Sequence, residues 1–147
     1  MIRVSADYDV DPDALWAVLE PIELHVEWMA DAESIEFLTT QRRGVGTRFR
    51  CVTKVGPIRL RDDMEITAWE PGRRMGVRHD GLVTGEGEFT LAALDGGRRT
   101  LFTWTETLRL RWWLGGPLGE RLVARYVLGV IWRGNLRRLR TIAEATP

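Results

Sequence analysis

Residues 58–79, IRLRDDMEITAWEPGRRMGVRH, decide the fold. Ile58, Leu60, Met64, Ile66 and Ala68 alternate with Arg59, Arg61, Asp63, Glu65 and Thr67, which is the period of a strand with one apolar face. Pro71-Gly72 supplies a turn, and Met75, Val77 and His79 continue the alternation behind it. Read as a two-residue loop, that turn sets Ala68 opposite Met75, Ile66 opposite Val77 and Met64 opposite His79. The same test works on both sides of this hairpin. Upstream, Gly56-Pro57 sets Val55 opposite Ile58, Thr53 opposite Leu60, Cys51 opposite Asp62 and Phe49 opposite Met64. Downstream, Gly96-Gly97 sets Leu91 opposite Phe102, Phe89 opposite Trp104 and Gly87 opposite Glu106. In all three hairpins the apolar rows share a face, and a slip of one residue would destroy that agreement.

Further outward, alternation and turn residues predict strands at Val4–Tyr8 and near 33–40, 46–55, 58–69, 73–79, 83–94 and 99–111. Asp11 and Pro12 open a short helix as N-cap and first helical residue. Pro21 ends it, and Ile22 to Met29 reads as a second short helix. After Gly115-Gly116-Pro117 the period becomes helical through Leu118, Leu122, Tyr126, Val127, Val130, Ile131, Leu139 and Ile142. This predicts a C-terminal helix of roughly 25 residues, about 38 Å long. The expected fold is α+β: a curved antiparallel sheet of seven strands wrapped around the long helix, with two short helices after the first strand.

The chain has 147 residues, which suits a single domain over 1–147. Its 21 basic residues balance 21 acidic ones, which argues against bulk attraction to nucleic acid or to an anionic membrane, though not against a local charged patch. A hydrophobic share of 44% with seven Trp excludes a disordered chain. The N-terminus lacks the apolar core of a signal peptide, and no apolar run reaches the roughly 20 residues of a membrane span. A cytoplasmic location is expected. Cys51 is the only cysteine, so it makes neither an internal disulfide nor a multi-cysteine metal site. Phosphate-binding, zinc-protease and serine-hydrolase motifs are absent, and neither a metal nor a cofactor is expected.

The inward face carries a few residues that break the apolar rule: Cys51, Thr53, Asp62, His79 and Glu106, with Gly85 and Gly87. An apolar concavity with a few polar groups is the usual makeup of a small-molecule pocket. Asp62 and His79 read first as solvated rim residues. Glu106 lies between Trp104 and Leu108, where a carboxylate either pairs with a helix arginine or serves as a hydrogen-bonding or proton-transferring group. A three-residue turn at 80–82 would set Glu106 level with Met75 and leave it about six residues, or about 20 Å, from Asp62. That spacing excludes a cooperating carboxylate pair. Cys51 reads as a small core hydrophobe. His25 reads as a packed surface residue. Trp28 and Trp112, at element ends, are candidates for the pocket mouth.

Several segments together resemble the START-like helix-grip superfamily, also called SRPBCC, and within it the bacterial polyketide cyclase/dehydrase-related group. They are Val10-Asp11-Pro12-Asp13-Ala14-Leu15-Trp16, Gly44-Val45-Gly46-Thr47, Ile66 to Arg74, and Gly96 to Trp104. The resemblance covers nearly the whole chain. It implies a deep cavity between sheet and long helix that holds a hydrophobic or aromatic molecule, and it carries no shared catalytic set.

Three functions follow as expectations. The first is a module that binds a polyketide-like or lipid-like ligand among Phe49, Cys51, Thr53, Met64, Val77, Phe89, Trp104, Glu106, Tyr126 and Val130. The second is a cyclase or dehydratase using Glu106, or Asp62 with His79, as acid and base. The third is a protein-interaction module. Ligand identity and oligomeric state, a homodimer included, stay open.

Overall fold

A computed structural model gives the architecture. The described residues run from Met1 to Ala145, without the side chains of Leu114 and of 127–129. The side chain of Val127 in the expected helical stripe and residues 146–147 of the expected domain therefore lie outside the description. Seven strands, β1 (Ile2–Tyr8), β2 (Ala32–Phe37), β3 (Arg48–Val55), β4 (Ile58–Glu70), β5 (Arg74–Gly81), β6 (Val83–Leu94) and β7 (Arg99–Leu110), form one sheet. Its order is β1-β7-β6-β5-β4-β3-β2, and every pairing is antiparallel.

Between β1 and β2 lie α1 (Pro12–Leu19) and a 3-10 helix at Ile22–Glu27. Asp11 caps α1, its carboxylate accepting from the Ala14 N–H at 2.7 Å. The chain is helical again from Gly116 to Ala145, as α2 (Gly116–Tyr126), a π-helical stretch (Val127–Trp132) and α3 (Arg133–Ala145). This is the long C-terminal helix of the expected fold, interrupted by a wider turn.

The β3–β4 and β6–β7 registers match the sequence reading pair by pair. The β4–β5 pairing begins as expected, with Met64 opposite His79 and Ile66 opposite Val77, and then shifts at Thr67. Past that bulge Ala68 faces Gly76, and Met75 faces Trp69 rather than Ala68. Trp69 is thereby turned onto the core and meets Trp16 edge to face, with ring centroids 5.3 Å apart. The convex face carries the charges. Arg50 pairs with Asp63 at 2.8 Å, Arg74 with Glu88 at 2.8 Å, and Arg78 with Glu65. Exposed pairs of this kind contribute only about 0–1 kcal/mol each.

One register differs by more. The β5–β6 loop is centred on Leu82, so His79 pairs with Gly85 and Val77 with Gly87. Moving the loop centre by one residue moves every facing pair by two. Glu106, opposite Gly87, is therefore level with Val77 and not with Met75.

The two halves of the C-terminal helix pack differently. In the second half Trp132, Leu136, Leu139 and Ala143 are buried on the sheet. Polar clips hold this half in place. The Tyr8 hydroxyl donates to the Leu136 carbonyl at 3.0 Å. The buried Asn135 accepts from the Ala30 N–H and donates to Asp31 Oδ1, both at 2.9 Å. In the first half Leu118, Leu122, Tyr126 and Val130 are exposed, although the stripe read from the sequence expected them to be covered. Here the helix passes over an open cavity, and the residues it turns inward are few.

Candidate functional site

The concave face of the sheet and the helix enclose a cavity of about 190 Å³. Ten residues expected there from sequence line it: Phe49, Cys51, Thr53, Asp62, Met64, Val77, His79, Phe89, Trp104 and Glu106. They come from adjacent strands, β3 to β7, because antiparallel pairing stacks the inward residues of neighbours in rows. Four other expectations need correction. Tyr126 and Val130 are 63% and 65% exposed and do not line the cavity, because the first half of the helix turns their row outward. Trp28 is fully buried in the core against His25, Phe89 and Trp104, so it does not stand at a mouth. Trp112 is 86% exposed and lies off the cavity wall.

Trp132, which the sequence reading missed, forms much of the helix side of the wall. Its indole stacks on Trp104 with centroids 3.9 Å apart and planes within 10°. The signal was present: Trp132, Leu136, Leu139 and Ala143 recur at helical spacing, and this row, not the one through Val130, faces the sheet.

The polar residues of the cavity meet at one place. The β5–β6 register carries His79 to Glu106, with Nε2 to Oε2 at 3.5 Å and both side chains buried. The other carboxylate oxygen of Glu106 accepts from Trp104 Nε1 at 3.0 Å. Asp62 is buried beside His79, and its Oδ1 has no hydrogen-bond partner among the described residues. His79 Nε2 likewise lacks a hydrogen bond of good geometry, since its Glu106 contact is an ion-pair separation. The sequence reading kept Asp62 and Glu106 about 20 Å apart; the two-residue shift instead places both carboxylates near one imidazole. Nor are Asp62 and His79 solvated rim residues. Space for the cluster comes from glycine. A Cβ on Gly87 would lie 3.0 Å from Glu106 Cγ, and one on Gly81 would lie 2.3 Å from Asp62 Oδ1.

Burial opposes the charged imidazole of His79, but the Glu106 and Asp62 carboxylates outweigh it and hold the pKa above the ordinary 6.5. Burial pushes the Asp62 carboxyl up, with the His79 charge opposing. The cluster is thus a proton-holding site at the polar end of an apolar chamber. Burial also pushes the Cys51 thiol up to about 11, so it stays protonated and is no activated nucleophile. His25 is buried rather than a surface residue. Its Nε2 donates to the Leu19 carbonyl at 2.7 Å, and burial lowers its pKa to about 4, which keeps it neutral and structural. Among the described residues no group of three or more His, Cys, Asp or Glu is placed to hold a metal ion.

The profile of the polyketide cyclase/dehydrase and lipid transport family matches residues 1–144. The chain belongs to this family. Family membership agrees with the seven strands, the cavity and the long helix of a START-like, helix-grip fold. None of the curated proteins matches the sequence significantly. Several solved structures share the fold. A START superfamily protein from Mycobacterium smegmatis superposes with a TM-score of 0.78 at 10% identity, covering 99% of this chain and 98% of that one. A Thermus thermophilus protein gives 0.75 at 20% identity, covering 98% and 97%. The ZhuI aromatase/cyclase from a Streptomyces species gives 0.70 at 19% identity, covering 97% and 92%. No described helix is long and apolar enough to cross a membrane.

Proposed function

We propose that this family member binds, in the cytoplasm, a hydrophobic small molecule whose body is aromatic or polyketide-like and whose one polar end carries a hydroxyl or carbonyl. The observation that carries this reading is the buried His79–Glu106 pair, with Asp62 beside it, at one place in an otherwise apolar cavity. Phe49, Met64, Phe89 and the stacked Trp104–Trp132 pair supply flat apolar walls for the body. Glu106 and Asp62 accept from a ligand hydroxyl, while a protonated His79 donates to an oxygen. The family description and the fold shared with an aromatase/cyclase support the same class of ligand.

A second reading, a cyclase or dehydratase, is favoured by the unpartnered Oδ1 of Asp62 beside an imidazole that holds its proton. In that case the same residues act as acid and base on a bound carbonyl compound.

Tryptophan quenching by 2-naphthol and by naphthalene tests the binding reading. We expect saturable quenching by both, with 2-naphthol preferred by about tenfold, the worth of one good hydrogen bond to a charged group. Glu106→Gln should abolish most of that preference and leave naphthalene binding intact. Absence of saturable quenching, or an unchanged preference in Glu106→Gln, overturns it.

A further inference from the structure

We propose that the first half of the C-terminal helix and the turn before it form a docking face for an anionic lipid surface. Trp112, Trp113, Leu118, Leu122, Tyr126 and Val130 expose large apolar side chains within one short stretch of chain, between 54% and 86% of each residue being accessible. Leu118, Leu122 and Tyr126 are spaced four apart, so they form one stripe along α2. Isolated exposed apolar residues are ordinary, but a contiguous row of this size marks a contact surface.

Charge selects the partner. From Thr107 to Asn135 the chain carries five arginines, Arg109, Arg111, Arg121, Arg125 and Arg133, against one acidic residue, Glu120. All five are exposed, and none forms an ion pair among the described residues. Glu120 is turned back and accepts from the Leu110 N–H at 2.8 Å. At about 100° per residue, Arg121 and Arg125 border one edge of the stripe and Val123 the other. In a chain of zero net charge, this apolar face is therefore bordered by uncompensated positive charge.

A second copy of the chain is the poorer occupant, because an antiparallel two-fold contact would set this arginine border against itself and a parallel one would set it against the apolar Val123 edge, so neither offers it an acidic partner. A cleft-seeking protein segment is also poorly served, since Trp112 protrudes at 86% exposure instead of framing a groove. A lipid surface accepts protruding tryptophans at its headgroup level, apolar side chains below them and arginines at the anionic phosphates. The face also borders the cavity, for Val123 is 40% exposed and lines the cavity wall. The proposal stands whether or not the cavity ligand has the chemistry given above.

Co-sedimentation of the full chain with phosphatidylcholine vesicles, with and without phosphatidylglycerol, tests the proposal. Light scattering of the free protein is run alongside. Binding to the anionic vesicles should fall at least about tenfold in Leu118→Ser/Leu122→Ser, in Arg121→Glu/Arg125→Glu, and in high salt. Both variants should keep the wild-type melting temperature and the naphthalene quenching of the cavity, because the altered side chains are exposed. Three results would overturn the proposal: no binding to anionic vesicles, equal binding by wild type and both variants, or a stable dimer that either double variant dissociates.

Discussion

Gly85→Ala should unfold the protein or cost it about 3–5 kcal/mol, a large share of the roughly 5–15 kcal/mol that holds a domain of this kind together. Gly85 has φ near +138°, a region that side chains other than glycine rarely enter. A Cβ there would lie 1.8 Å from the Thr107 carbonyl oxygen and 2.9 Å from its carbon. Those atoms belong to the facing strand β7, so relief requires separating the β6–β7 pair rather than rotating a side chain. The same pair carries Glu106 into the cavity. Urea melts followed by tryptophan emission measure the loss. A Gly85→Ala protein within about 1 kcal/mol of wild type would show that β6 and β7 do not approach this closely.

His79→Leu should cost about 3–5 kcal/mol near neutral pH, because it leaves two buried carboxylates without their cation. The pH dependence carries more information than the size. His79 has a raised pKa in the folded protein, so the stability it contributes is full below its unfolded value of 6.5 and fades as pH rises through the folded value. Asp62, also raised, favours folding while it is protonated and ceases to do so as pH rises through its own folded value. Without His79 that value climbs further. The deficit of the variant is therefore largest between the carboxylate range and the raised His79 pKa. It shrinks toward acid, where Asp62 is protonated, and toward alkali, where wild type has lost the imidazolium. Urea melts across this range trace the curve; a deficit independent of pH would mean that His79 acts by packing alone.

Most of the fold was legible because strand period and turn chemistry are local. Gly56-Pro57 and Gly96-Gly97 each pin a register from which eight of the ten wall residues follow by counting, and Pro71-Gly72 adds Val77 and His79. The polar cluster was only half legible. Its members were found as exceptions on the apolar face, but their meeting depends on where the β5–β6 loop is centred, and the run Asp80-Gly81-Leu82 suits more than one centre. The bulge at Thr67, which turns Trp69 from the convex face to the core, also leaves no mark in the alternation. The helix failed differently. Its apolar residues form two rows, one through Leu118, Leu122 and Tyr126 and one through Trp132, Leu136 and Leu139, and periodicity alone does not say which row the sheet receives.

The central claim is that an apolar cavity with one polar end receives a hydrophobic molecule. Calorimetric titration of 2-naphthol into wild type and into Met64→Trp tests it most directly. Met64 lines the cavity between Phe49 and His79 on the neighbouring strands, so the larger indole should fill the space the ligand needs. The account predicts one-to-one binding to wild type with a negative heat-capacity change, and at least about a tenfold loss of affinity in a folded Met64→Trp protein. Equal affinity in the two proteins, or no binding to wild type, would contradict it.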